Sequence, residues 1–125
     1  MVRLVMGVVA GFIAWWVIGA SAFFLLGAAW PDYTAAEPSM TFTLAMQVSR
    51  LAVGILCSVG AGWLAVVVAK GNASAAWSLG VLLVLMFIPI HYTLWDKFPV
   101  WYHLAFLLTL APIVGASARL ARARR

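Results

Sequence analysis

The chain has 125 residues, of which 66% are hydrophobic and only 9% are charged, and its formal net charge is +5. A soluble domain typically has about 45–50% apolar and about 25% charged residues, so this composition excludes an ordinary soluble domain and a disordered chain. The single cysteine, Cys57, excludes an internal disulfide scaffold and a CxxC redox pair. The sequence predicts one integral membrane domain over residues 1–125.

Four apolar stretches are each long enough to cross a bilayer as a helix, which takes about 20 residues. They cover residues 4–29, 42–69, 73–95 and 100–118. The connections between them are short, so consecutive helices are expected to run antiparallel. None of the stretches shows the alternation that is typical of β-barrel strands. We therefore predict an all-α membrane protein, an up-down antiparallel bundle of four transmembrane helices.

Basic residues are divided unequally between the two predicted membrane faces. One face has six, which are Arg3, Lys70, Arg119, Arg122, Arg124 and Arg125. The other face has Lys97 and all three acids, Asp32, Glu37 and Asp96. Because basic residues mark the cytoplasmic side, we predict that both termini are cytoplasmic (N-in/C-in) in a bacterial plasma (inner) membrane.

Two further expectations concern the ends of the chain. The basic tail that begins at Arg119 is expected to contact anionic lipid headgroups; nucleic-acid binding is not expected, because no folded reader is attached. Arg3 and the small residues 20–22 also resemble a signal peptide with its cleavage site. The apolar run continues through residues 23–26, which favours an uncleaved first span.

Small residues follow three of the predicted helices at the spacing that lets helices pack closely in lipid. They are Gly7 and Gly11, then Gly54, Ser58 and Gly62, and finally Ala111 and Gly115. Packing within the bundle is the main interpretation, and a homodimer or a membrane-protein partner is the alternative. Aromatic residues are assigned to an outer interfacial belt; these are Trp30, Tyr33, Tyr92, Trp95, Trp101 and Tyr102.

Arg50 lies about eight residues inside the second predicted span, where an arginine costs up to about 2.5–3.5 kcal/mol. We expect its guanidinium to point toward the bundle or the outer surface and to find a polar partner there. The Leu85 carbonyl, which Pro89 leaves without a donor, is one candidate. A polar layer at matching depth provides the other candidate binding residues, namely Gln47, Ser21, His91, Asp96 and Thr109.

His91, His103 and Asp96 lie near the same outer surface and are the candidate ligands of a metal site. Such a site needs four ligands, or three with a water, so interfacial hydrogen-bonded histidines are the preferred interpretation. His91 and Asp96 also match the HxxxxD pattern of glycerolipid acyltransferases, but those enzymes need a large domain outside the membrane.

The segment LWDKFPVWYHL, residues 94–104, resembles a stretch of a family of small uncharacterised bacterial four-helix inner-membrane proteins. The preceding IPIH, residues 88–91, and AEP, residues 36–38, are similar too. The resemblance implies the same four-helix fold and membrane, and it carries no activity over to any residue here.

Three functions remain open at this point. The leading hypothesis is an accessory or structural membrane component that is not an enzyme and needs no cofactor. The second is an oligomeric transporter or channel for small solutes or anions, using the outer polar layer around Arg50. The third is a metal- or redox-linked membrane subunit that uses His91 and His103.

The predicted topology can be tested with reporter fusions at residues 35, 72, 97 and 125. Because of the distribution of basic residues, the reporters should read outside, inside, outside and inside, respectively. Alkaline phosphatase and green fluorescent protein activities measure the two sides. A C-terminal reporter outside the cytoplasm would contradict the whole arrangement.

Overall fold

The computed structural model describes residues 1–123, which are helical almost throughout and contain no β-strand. The helices are α1 (Val2–Ala29), α2 (Pro31–Ala36), α3 (Leu44–Val68), α4 (Ser74–Thr93) and α5 (Val100–Ala123). Four of them, α1, α3, α4 and α5, are long and apolar enough to cross a membrane. The predicted all-α class with four apolar helices is confirmed. Arg124 and Arg125, part of the predicted basic tail, lie outside the described residues.

The helix boundaries follow from local chemistry. The Thr43 hydroxyl accepts a hydrogen bond from the Met46 backbone N–H and so caps the start of α3. Lys70 and Gly71 adopt the left-handed conformation, with φ of 59° and 90°, which ends α3 in a tight turn. At the next connection a 3₁₀ turn, Trp95–Lys97, follows α4. The last helix continues to Ala123, five residues beyond the predicted end of its span.

Consecutive long helices run antiparallel and surround a common core. Around the bundle the order is α1, α3, α5 and α4, and α1 packs most extensively on α3. Gly7 lies beside Ala69, and Gly19 lies beside Cys57, so α1 and α3 run in opposite directions. The core between the helices includes Trp15, Cys57, Leu79, Leu83 and Val114.

The predicted small residues lie at the contacts between helices of this one chain. A Cβ added at Gly11 would lie 2.8 Å from the Ala61 carbonyl oxygen. At Gly62 it would meet the Val114 backbone, and at Gly115 it would meet the Trp77 ring. Gly7, Gly54 and Ala111 also lie at such contacts. The helices therefore approach one another closely where these small residues stand.

The register of the helices gives the bundle two chemically different ends. The basic end carries Arg3, Lys70, Arg119 and Arg122, and the acidic end carries Asp32, Glu37, Asp96 and Lys97. Small buried residues predominate toward the basic end, among them Ala65, Ala69, Ala75, Ala76, Ala118 and Ala121. Toward the acidic end the residues between the helices are larger and mostly aromatic, and the candidate site lies there.

Candidate functional site

Arg50 is held by two phenols at the acidic end of the bundle. Its Nη1 donates a hydrogen bond of 2.7 Å to the Tyr33 hydroxyl, and its Nε donates one of 3.3 Å to the Tyr102 hydroxyl. Tyr33 belongs to α2 and Tyr102 to the first turn of α5. Both tyrosines are buried, with 0% and 4% of their surfaces exposed. One guanidinium thus connects three helices.

Three aromatic rings also lie close to the guanidinium. Its Cζ lies 4.9 Å from the ring centroids of both Phe23 and Phe42 and 5.5 Å from that of Phe98. A cation over an aromatic face is stabilised by about 0.5–2 kcal/mol, with the larger values at desolvated sites. These three phenylalanines and the two tyrosines form what is called the aromatic cluster around Arg50 below; its members are Phe23, Tyr33, Phe42, Phe98 and Tyr102. Phe23 belongs to α1, Tyr33 to α2 and Tyr102 to α5; Phe42 lies just before α3, and Phe98 just before α5.

Four residues of the aromatic cluster around Arg50 also stack on one another. Tyr33 stacks on Phe42 at 5.1 Å, Phe42 on Phe98 at 5.8 Å, and Phe98 on Tyr102 at 4.3 Å. The stack begins and ends with the two phenols that accept hydrogen bonds from Arg50. It therefore fixes the positions of both acceptors.

The partners of Arg50 are neutral groups. Burial raises the pKa of the Tyr33 phenol, and the neighbouring Arg50 opposes this effect, so the hydroxyl stays protonated at neutral pH. The carboxylates of the acidic end, those of Asp32, Glu37 and Asp96, belong to exposed residues. The positive charge of Arg50 is therefore solvated by phenols and aromatic faces, and these groups leave its net charge uncompensated.

A cavity of about 320 Å³ opens beside Arg50, between the four long helices. Its wall is apolar and aromatic apart from Arg50, His91, Tyr102 and Cys57; the remaining lining residues are Trp15, Trp16, Phe23, Val53, Gly54, Phe87, Ile90, Leu94, Phe98 and Phe106. Ligand sites in proteins typically have volumes of about 300–1,000 Å³ and combine an apolar wall with few polar groups. The cavity is therefore the candidate functional site.

His91 and His103 form a buried pair at one side of the cavity. Their Nδ1 atoms lie 2.7 Å apart, and His103 Nε2 lies 3.3 Å from the Trp95 carbonyl oxygen. A carbonyl only accepts, so in the neutral pair His103 carries its hydrogen on Nε2 and accepts from the Nδ1–H of His91. This tautomer leaves His91 Nε2 as an acceptor on a residue that lines the cavity.

The structure brings together only part of the predicted polar layer. Arg50 and His91 line the same cavity. Gln47 is half-buried, and Ser21 is exposed. Thr109 is also exposed, donates to the Ala105 carbonyl, and lies at a separate small groove between α3 and α5. Arg50 donates its hydrogen bonds to the hydroxyls of Tyr33 and Tyr102, and not to the Leu85 carbonyl that the sequence offered as a candidate.

The predicted metal ligands are likewise only partly assembled. His91 and His103 meet, but Asp96 is an exposed residue of the 3₁₀ turn. Among the described residues no group of three or more His, Cys, Asp or Glu side chains has a metal-binding arrangement. The two histidines share a hydrogen bond between their Nδ1 atoms, so these two nitrogens are already occupied by each other.

Tyr33 and Tyr102 belong to the candidate site, although the sequence pattern did not assign them to it. Both were assigned to the outer aromatic belt, whereas both are buried inside the bundle. Tyr92, from the same assignment, is 83% exposed. The available signal was an arginine within a predicted span, in a chain whose three acids all lie between the predicted spans, so that nearby tyrosine hydroxyls were candidate acceptors.

No protein-family model matches this chain, and comparisons with curated proteins and with solved structures find no match either.

The contact between Tyr33 and Arg50 leads to a stability prediction. Tyr33→Phe removes the hydroxyl that accepts from Arg50 and should lower the free energy of unfolding by about 1.5–3 kcal/mol, as expected for a hydrogen bond to a charged group. Unfolding in detergent micelles, followed by circular dichroism, measures the change. Tyr92→Phe is the matched control and should have no effect, because Tyr92 is 83% exposed. Equal stability of the two variants would contradict this role of Tyr33.

Proposed function

We propose that this chain is a multi-pass protein of a bacterial plasma membrane, with both termini in the cytoplasm, that binds a small anionic ligand beside Arg50. It acts as an accessory component and not as an enzyme, and it needs no cofactor. Its four apolar helices support a membrane location. The basic end would face the cytoplasm by the positive-inside rule, which puts the cavity in the outer half of the membrane.

The observation that carries the binding proposal is the chemistry around Arg50. A guanidinium in an apolar cavity is bonded to neutral phenols, so an anion in the cavity would gain a full unit of opposite charge at low dielectric. Arginine presents five N–H donors in a fork that matches a carboxylate or phosphate. Two hydrogen bonds to tyrosines leave donors for a ligand.

The surface of the bundle supports the accessory role. Large apolar side chains are exposed on all four long helices, including Phe24, Leu56, Leu85 and Leu108. Lipid would cover most of this surface, and a second copy or another membrane protein would cover part of it. At the basic end Arg119 and Arg122 line a groove with Trp77 between α4 and α5, where anionic lipid headgroups would be attracted.

An oligomeric anion transporter or channel is the second candidate, and the same uncompensated charge of Arg50 favours it. The exposed positions of Ser21 and Thr109 support the binding protein over a conduction path through the bundle. Flux into liposomes separates the two candidates. An accessory binding protein gives no flux of chloride or acetate above that of empty liposomes, whereas a transporter gives flux that Arg50→Gln abolishes.

Anion binding can be measured with the full chain in lipid nanodiscs, using the fluorescence of tryptophan, since Trp15 and Trp16 line the cavity. We expect a saturable change with at least one monoanion among chloride, acetate, benzoate and octanoate. Arg50→Gln should weaken that binding at least tenfold, because it removes the cation and its fork of donors.

Arg3→Gln is the matched control for this titration. It removes the same charge from an exposed residue at the basic end and should leave the binding constant unchanged. The proposal fails if no member of the series gives a saturable response, or if Arg50→Gln and Arg3→Gln bind equally well.

A further inference from the structure

We infer that the ligand of this cavity is a carboxylate carried on a single hydrocarbon chain, which enters sideways from the bilayer between α1 and α4. The inference rests on the proposed function and adds to it the class of ligand and its route. The carboxylate lies at Arg50. The first part of its hydrocarbon chain lies on the aromatic floor of the cavity, which is formed by Trp15, Phe87 and Phe106.

The charge of the cavity selects a monoanion. Arg50 is the only lysine or arginine among the residues that line it, all of which belong to the described part of the chain. A carboxylate carries one negative charge and compensates the guanidinium. A phosphate monoester carries about −1.5 to −2 charges, so its excess charge would be buried in apolar surroundings at a high cost.

The floor of the cavity selects an apolar tail. Phe87 packs against Trp15 at 4.9 Å and against Phe106 at 5.1 Å between ring centroids, and all three line the cavity. A small hydrophilic anion at Arg50 would leave this surface without an apolar partner. Each buried methylene of a chain contributes about 0.8 kcal/mol, so affinity should rise with chain length.

The size of the cavity limits how much of the chain it takes in. Its volume of about 320 Å³ is at the lower end of the range of ligand sites. The carboxylate and the first methylenes fill this space, and the rest of a longer chain must leave it. A lateral opening lets that remainder stay in the hydrocarbon of the membrane, where it keeps its apolar surroundings.

Burial along α1 shows where the lateral opening lies. The buried residues of α1 are Gly7, Gly11, Trp15 and Gly19, and no residue of this helix beyond Gly19 is buried. Gly7 and Gly11 lie close to Ala75 and Leu79 of α4. The two helices are thus in close contact toward the basic end.

Toward the acidic end the contact between α1 and α4 gives way to the cavity. The last aromatic contact between them is the stack of Trp16 on Phe87, at 5.8 Å. Beyond it, Phe23 on α1 and Ile90 on α4 are half-buried and line the cavity. Trp16 is itself 40% exposed. The mouth of the cavity is therefore the gap that these residues flank, on the lipid-facing side of the bundle.

The chain-length dependence is tested with the full protein in phosphatidylcholine nanodiscs. Dodecanoate brominated next to the carboxylate quenches tryptophan that it contacts, and Trp15 and Trp16 line the cavity. Unlabelled dodecanoate should displace this probe at concentrations at least tenfold lower than octanoate, and octanoate at lower concentrations than acetate. Dodecanol, which lacks the charge, should displace it at least tenfold less well than dodecanoate.

The route of entry is tested with a pair of substitutions on α4. Ile90→Trp places a bulky ring at the mouth and should weaken dodecanoate binding at least tenfold, while acetate binding stays within twofold. Ile88→Trp is the matched control, because Ile88 is exposed and does not line the cavity; it should bind dodecanoate as the unaltered chain does. Leu94→Trp, also at the cavity wall, provides a second blocking variant if Ile90→Trp does not fold.

The outcomes separate this inference from the proposed function. If acetate binds as tightly as dodecanoate, or if the blocking variants bind dodecanoate normally, the inference is wrong while Arg50-dependent anion binding stands. If dodecanol and dodecanoate displace the probe equally and Arg50→Gln has no effect, the probe only partitions into an apolar surface, and both proposals fail. A lysophospholipid that displaces the probe better than dodecanoate overturns the carboxylate in favour of a phosphodiester headgroup.

Discussion

The charged guanidinium of Arg50, which lies among apolar and aromatic side chains, is the constraint on which the structure of the acidic end depends. In hydrocarbon, an arginine near the centre of a helix costs about 2.5–3.5 kcal/mol unless polar groups compensate it. Arg50 receives that compensation from Tyr33 and Tyr102 and from three aromatic faces. Because these groups belong to different segments, satisfying one side chain also fixes the α1–α3 connection and the start of α5.

The two ends of the bundle differ in how their helices are kept apart. Toward the basic end, glycines and alanines such as Gly11, Ala61 and Ala65 bring the backbones together. Toward the acidic end, bulky rings such as Trp15, Phe87 and Phe106 stand between the helices. The cavity lies beside these rings and beside the half-buried Arg50.

The sequence was sufficient to predict the all-α class with four apolar helices, and it also indicated that Arg50 would find polar partners within the bundle. The four apolar helices follow from hydropathy and length, and the small-residue spacing on α1 indicated where backbones approach. The polar layer was harder to predict because depth in a membrane does not determine which face of a helix a residue occupies. Ser21 and Thr109 match the depth of Arg50 but point away from it, as their exposure shows.

The tyrosine partners show a second limit of the sequence pattern. An aromatic residue near a predicted interface has two stable positions, in the headgroup region or inside the bundle with its hydroxyl bonded. Tyr92 is exposed, whereas Tyr33 and Tyr102 are buried with their hydroxyls bonded to Arg50. The choice is decided by tertiary contacts, above all the stack from Tyr33 through Phe42 and Phe98 to Tyr102.

The most direct test of the account is a pair of double-mutant cycles for stability in detergent micelles, with Arg50→Leu in both. One cycle combines it with Tyr33→Phe and the other with Asp96→Asn. If a neutral phenol holds the guanidinium, the first cycle should give a coupling energy of about 1–3 kcal/mol. The second should give a coupling energy near zero, since Asp96 is exposed. A larger coupling with Asp96 than with Tyr33 would contradict the account.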